Sequence, residues 1–136
     1  MYNRIIVALD LSHEVQGNAL FQKALKLIDA GGEIRLVHVL EEVPGYIAAE
    51  LPRDLSDRRQ AEARVELKQV AHGSDARVEV EVRSGAPSAQ ILQAAEDSNA
   101  DLIMIASHKP GLSDYFIGST AARVVRHAQC SVLISR

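Results

Sequence analysis

The chain contains no tryptophan, a single cysteine, and aromatic residues at only 4% of its 136 positions. So few rings argue against a platform on which nucleic-acid bases would stack. Lone Cys130 has no partner in the chain for a disulfide, which agrees with a reducing compartment, and its place in an apolar run predicts a packing thiol rather than a nucleophile. No segment approaches the roughly eighteen consecutive apolar residues that a membrane-spanning helix needs, so no membrane insertion is expected. Met1-Tyr2-Asn3-Arg4 leads directly into "IIVALD", with no long apolar run and no small-residue cleavage site. A signal peptide is therefore not evident, and a cytoplasmic location is expected. A block of one charge sign is also missing: 15 Lys and Arg are interspersed with 18 Asp and Glu, for a net charge of -3. Binding to nucleic acid is not expected from such a surface.

What is present is the composition of an ordinary globular chain, 47% hydrophobic and 24% charged, at a length that suits one domain spanning residues 1–136. Ile5 to Leu9 is a continuous apolar run, as expected of a strand covered on both faces. From Ala19 to Ala30 the period becomes helical through Leu20, Ala24, Leu27 and Ile28, with Gly31-Gly32 as the expected stop. Ile34 to Leu40 reads as a second strand, followed by an irregular excursion marked by Pro44-Gly45 and Pro52. A charged helix is expected from about Leu55 to Ala71, with Ala63, Leu67, Val70 and Ala71 on its inner side and Gly73 at its end. Val78, Val80 and Val82 then alternate with Glu79, Glu81 and Arg83, the pattern of a half-exposed strand at a sheet edge. Pro87 suits the first turn of a helix whose apolar side is Ile91, Leu92, Ala94 and Ala95. Leu102 to Ala106 is another buried strand. After a polar loop come a helix carrying Ala121, Val124, Val125 and Ala128 and a last strand, Ser131 to Ser135.

Strands and helices thus alternate without repeat or linker, which favours an α/β fold: a doubly wound, Rossmann-like parallel sheet of five strands with helices on both faces. The order 3-2-1-4-5 places the Val/Glu strand at one edge. In such a sheet a crevice opens where the connections leave strands 1 and 4 toward opposite faces, at the strands' carboxyl ends. Strand 1 delivers "ALDLS" to it and strand 4 delivers "ASHKPG". Gly118-Ser119-Thr120, at the close of that loop, has the chemistry of a helix N-terminus. There, free backbone N–H groups and the positive end of the helix dipole hold a phosphate; the alternative is that Ser119 is only an N-cap.

The segments "RIIVALDLS", "IRLVHV", "SGAPSAQILQAAEDSNADLIMIASH" and "GSTAARVVRHAQCSVLIS" resemble the universal stress protein family from end to end, leaving only about Glu41 to Ala76 without a convincing match. The resemblance implies an adenine nucleotide alpha hydrolase-like sheet and, in many members, ATP bound between the ends of strands 1 and 4. Nucleotide-binding members carry Gly-x-x-Gly, nine residues, then Gly followed by Ser or Thr. Here Ala106 and Lys109 stand at the first two glycines, and eight residues separate Lys109 from Gly118. Lys109, preceding Pro110, is biased toward an extended backbone, so the loop must take another path. Its ammonium either reaches a phosphate as a point charge or is solvated beside the turn.

Carried over by position, the resemblance implies that Ala8, Leu9 and Asp10 face the nucleoside with Val39 beside the adenine. Ile105, Ala106, Ser107, His108 and Lys109 then line the opposite side, and Gly118, Ser119 and Thr120 cradle phosphate. Asp10 either accepts from a ribose hydroxyl, helps hold a phosphate-bound cation, or caps the following turn. His108 either donates to a phosphate or is satisfied by loop backbone. His38, among apolar neighbours, is expected to be packed and hydrogen-bonded rather than a metal ligand, and His13, His72 and His127 show no metal-ligand spacing. Arg123, Arg126 and His127 complement the dipole at the end of the last helix. Val132, Leu133 and Ile134 form an edge without Lys, Pro or inward charge, which calls for a cover; a homodimer through this strand answers that, and the resemblance implies the same.

The expected function is a stress-response or regulatory dimer holding ATP or AMP, with or without Mg2+, and turning it over very weakly at most, because only Asp10 and His108 are candidates for hydrolytic roles. A second reading is a non-nucleotide interaction module in which Lys109 and Pro110 close the pocket and the loop meets a regulatory protein partner. A third, a flavodoxin-like electron carrier, would use Tyr115 and Phe116 to sandwich a flavin.

Overall fold

Apolar runs that must bury both faces, alternating with segments that bury one stripe, leave few arrangements other than a sheet between two helical layers. The computed structural model, which describes residues 1–12, 14–42, 44–107 and 118–136, has that arrangement. Its elements are β1 (Tyr2–Ala8), α1 (Glu14–Leu27), β2 (Ile28–Leu40), α2 (Gly45–Ala48), α3 (Leu55–Ala71), β3 (Arg77–Ser84), α4 (Pro87–Ser98), β4 (Leu102–Ala106), α5 (Ser119–His127) and β5 (Ser131–Ser135). The five strands lie in the order β3-β2-β1-β4-β5, and every pair is parallel.

Alternation along the strands builds two cores. Ile5, Val7 and Leu9 of the first strand segment, Ile34 and Leu36 of β2, and Leu102 and Met104 of β4 pack against Leu20, Phe21 and Ala24 of α1 and Leu67 of α3. On the opposite face Ile6, Ala8, Val37, Ile103 and Ile105 meet Ile91, Ala94 and Ala95 of α4 and Ala121 and Val124 of α5. Val125, expected with the apolar side of the last helix, is instead 49% exposed. Adjacent helical positions diverge by about 100°, so Val124 and Val125 cannot both face the sheet.

The Val/Glu strand is at the edge, as its alternation predicts. Val78, Val80 and Val82 pack toward the α1–α3 core, while the polar side is tied up in ion pairs. Arg83 binds Glu81 at 2.7 Å and Asp97 of α4 at 2.8 Å, and Arg35 lies 3.5 Å from Glu81 and 3.6 Å from Glu33. Just beyond Asp97, at this C-terminal end of α4, Asn99 takes a left-handed conformation (φ 54°) and Ala100 donates to the Ala95 carbonyl at 2.9 Å, closing the helix.

Two boundaries depart from the sequence reading. The helix expected to run to Ala30 stops at Leu27, and Ile28 to Gly32 already belong to β2. Gly31 and Gly32 therefore serve a strand irregularity and not a helix end: the pairing steps from Tyr2↔Ile28 to Arg4↔Glu33, so β2 carries the extra residues. Gly31 has φ 82°, and a Cβ on Gly32 would come within 2.8 Å of the Asn3 carbonyl oxygen. The excursion after β2 contains the short helix α2, which follows Pro44 directly.

Candidate functional site

The carboxyl ends of β1 and β4 lie side by side, with Ala8 in register with Ile105 on one side and Val37 on the other. Beyond Ala8 the Leu9 amide still donates to the Val37 carbonyl at 2.9 Å, so the tip of β1 stays attached to β2 for one more residue. Asp10 then turns the chain: Ser12 donates to Asp10 Oδ1 from its amide at 3.0 Å and from its hydroxyl at 2.6 Å. Of the roles open to Asp10 in the sequence, the structure thus contains the turn cap. The Asp10-x-Ser12 spacing is the signal that carries it. Behind Asp10, on the α1–α3 side, lies a cleft of about 430 Å³ lined by Leu9, Leu11, Gly17, Asn18, Glu66 and other residues of α3.

Across the crevice, Ile105 is buried and Ala106 and Ser107 are half-buried. The Ser107 amide donates to the Ser135 carbonyl at 2.7 Å, which anchors the start of the loop to β5. His108 and Lys109, and with them Pro110, Tyr115 and Phe116, lie outside the described residues, as does His13. Val39 is half-buried at the end of β2, packed against the core that contains Ala8 and Ile105.

The helix cap differs from the one read in the sequence. Gly118, not Ser119, is the N-cap of α5; it accepts from the Ala122 amide at 2.9 Å, and among the described residues no side chain caps the helix. Ser119 and Thr120 are the first two helical residues. A glycine cap has no side-chain oxygen to offer, so among the described residues the amides of the first turn have neither an intrahelical nor a side-chain cap acceptor. Gly118 has φ -56° and ψ 156°, dihedrals open to any residue. Backbone conformation therefore does not demand glycine here. Ala121, in this same first turn, belongs to one buried cluster with Ala8 and Ile105, which puts the helix start on the sheet face shared by the ends of β1 and β4.

His38 is half-buried, and its Nδ1 lies 2.8 Å from the Leu9 carbonyl oxygen. It is packed and hydrogen-bonded as the sequence predicts, but that its partner is the tip of β1 was not legible. Among the described residues no group of three or more His, Cys, Asp or Glu is placed to hold a metal ion. Cys130 is half-buried at the start of β5, and burial, followed by the charge of Asp101, holds its thiol above the ordinary value of 9.0.

The universal stress protein family model matches residues 1–136. The chain belongs to the universal stress protein family. Universal stress protein G of Shigella flexneri is 32% identical to it over the whole of both chains. Among solved structures, the hypothetical protein MJ0577 superposes with a TM-score of 0.79 at 24% identity, covering 99% of this chain and 96% of that one. A universal stress protein in complex with cAMP superposes with a TM-score of 0.63 at 22% identity, covering 99% and 97% of the two chains. These likenesses establish the fold; family membership rests on the match along the full sequence. Among the described residues no helix is long and apolar enough to cross a membrane.

Proposed function

We propose that this universal stress protein holds an adenine nucleotide, ATP or AMP, at the carboxyl ends of β1 and β4 and acts as a regulatory dimer in the response to stress. The observation that carries the reading is the open N-terminus of α5. The helix shares a buried cluster with the tips of β1 and β4, and it presents main-chain donors and a partial positive charge that no side chain among the described residues consumes. Gly118, Ser119 and Thr120 would take the phosphates. Ala8, Leu9 and Asp10 on one side and Ile105, Ala106 and Ser107 on the other would flank the nucleoside, with Val39 against the base. His108 and Lys109 complete the proposed set from the loop. The solved family member in complex with cAMP supports an adenine nucleotide as the ligand class.

Binding is proposed with negligible turnover. Asp10, the one carboxylate at the tip of β1, already accepts twice from Ser12, which suits a fixed turn better than a mobile base. The dimer is proposed through β5, whose Val132, Leu133 and Ile134 are half-buried and whose outer edge meets no other strand among the described residues.

The test is direct. Purified protein is denatured, the supernatant is chromatographed for adenine nucleotide, and the refolded or ligand-free protein is titrated calorimetrically with ATP and AMP, with and without Mg2+. Nucleotide in the supernatant or saturable heat is the expected result. An empty supernatant together with flat titrations would overturn the reading in favour of an interaction module that meets a protein partner. Sedimentation at twice the 14.8 kDa chain mass is expected for the dimer.

A further inference from the structure

The main-chain ladder between β1 and β2 ends where the proposed site begins. The Leu9 amide donates to Val37 at 2.9 Å, and beyond it the Leu9 carbonyl is met by a side chain, the His38 ring nitrogen Nδ1 at 2.8 Å. A carbonyl can only accept, so Nδ1 carries the proton. Both the donor and the acceptor of Leu9 are thereby fixed to β2. The next residue is Asp10, whose carboxylate sets the following turn through Ser12.

His38 reaches this carbonyl from behind the crevice. Along β2, Ile34 and Leu36 belong to the α1–α3 core and Val37 to the α4–α5 core, so alternation places His38 on the α1–α3 face. The open end of α5 is on the other face, with Ala121 in the cluster that holds Ala8 and Ile105. A ligand there would touch the main chain that His38 holds and not the imidazole.

We propose that His38 is a positioning residue that holds the Leu9–Asp10 peptide in the conformation required for nucleotide binding, an inference that rests on the nucleotide reading above. With the tie in place, the tip of β1 is ordered before the ligand arrives. Without it, ordering is deferred to the binding step and costs on the order of tenfold in affinity for each residue fixed.

The experiment compares the unaltered protein with His38→Val, which has no donor, and His38→Asn, whose amide N–H stands near the place of Nδ1–H. ATP affinity is measured by calorimetry, and the order parameter of the Asp10 amide by 15N relaxation. His38→Val is expected to bind ATP about tenfold more weakly and to lower the Asp10 order parameter from a rigid value of about 0.85 toward about 0.6. His38→Asn is expected to restore both. A purely structural role would lower the melting temperature of both variants while leaving affinity and Asp10 order unchanged, and that result overturns the proposal. If the unaltered protein takes up no ATP, the nucleotide reading falls and takes the role in binding with it. The order parameter still decides separately whether His38 fixes the strand tip.

Discussion

Replacing Gly118 with aspartate should push stability and ligand affinity in opposite directions. Gly118 is the N-cap of α5, with φ -56° and ψ 156° and no side-chain cap. An aspartate fits those dihedrals without strain and accepts from the first-turn amides. Relative to glycine the cap adds a few tenths of a kcal/mol, and a negative charge at the helix N-terminus adds about 0.3–1 kcal/mol. Together these should raise the melting temperature by about 2–4 °C. The same carboxylate would stand about 4 Å from a phosphate held by those amides. Their repulsion lies between about 1 kcal/mol in water and about 4 kcal/mol near a protein surface, so affinity should fall roughly 100-fold. Differential scanning calorimetry and titration with ATP measure the two effects, and Gly118→Ala controls for bulk without charge. Gly118→Asp protein that melts higher yet binds ATP as tightly as before would show that the phosphate does not lie at the start of α5.

Three further outcomes follow from the packing and the ion pairs. The Arg83 hydrogen bond, then that of Gln93, holds the Asp97 carboxyl below its ordinary value of 3.8. Because the folded value is the lower one, this contribution is present above about pH 4 and is lost as pH falls through the lowered value. Asp97→Asn should therefore flatten the loss of melting temperature between about pH 5 and about pH 2; an unchanged slope contradicts the assignment. The raised Cys130 thiol should react with iodoacetamide at pH 8 more slowly than free cysteine, and at the free rate once the chain is unfolded; labelling of the native protein as fast as the unfolded chain would refute this. Gly32→Ala forces a methyl to within 2.8 Å of the Asn3 carbonyl oxygen, a main-chain atom, and should cost about 1–3 kcal/mol in denaturant unfolding.

Where the sequence was legible, one physical pattern dominated each segment. Buried parallel strands leave unbroken apolar runs, so Ile34–Leu40 and Leu102–Ala106 could be placed from hydrophobicity alone, and the edge strand could be told apart by its valines alternating with Glu79 and Glu81. The error at Gly31-Gly32 has a plain cause. Glycine punctuates helix ends and strand irregularities alike, and Ile28 fits a helical stripe as well as it fits the partner of Tyr2. At the site, "GST" pointed correctly to a helix N-terminus but could not tell which of its residues was the cap. That distinction depends on one pair of dihedrals and one hydrogen bond, Ala122 to Gly118, and composition does not encode it. The pairing of His38 with Leu9 was invisible for a different reason. It joins residues 29 positions apart and exists only because a ladder ends beside a turn.

The two borders of the sheet face neighbouring molecules on unequal terms. Along β3, Arg77, Glu79, Glu81 and Arg83 form a charged fringe of both signs, of which Arg77, Glu81 and Arg83 are engaged within the chain, through Glu33, Arg35 and Asp97. A foreign strand docking there would have to break those pairs first. β5 offers no such resistance. A molecule with only one adhesive border can bind another copy through that border alone, and both are then used up, so growth stops at a closed pair rather than a ribbon.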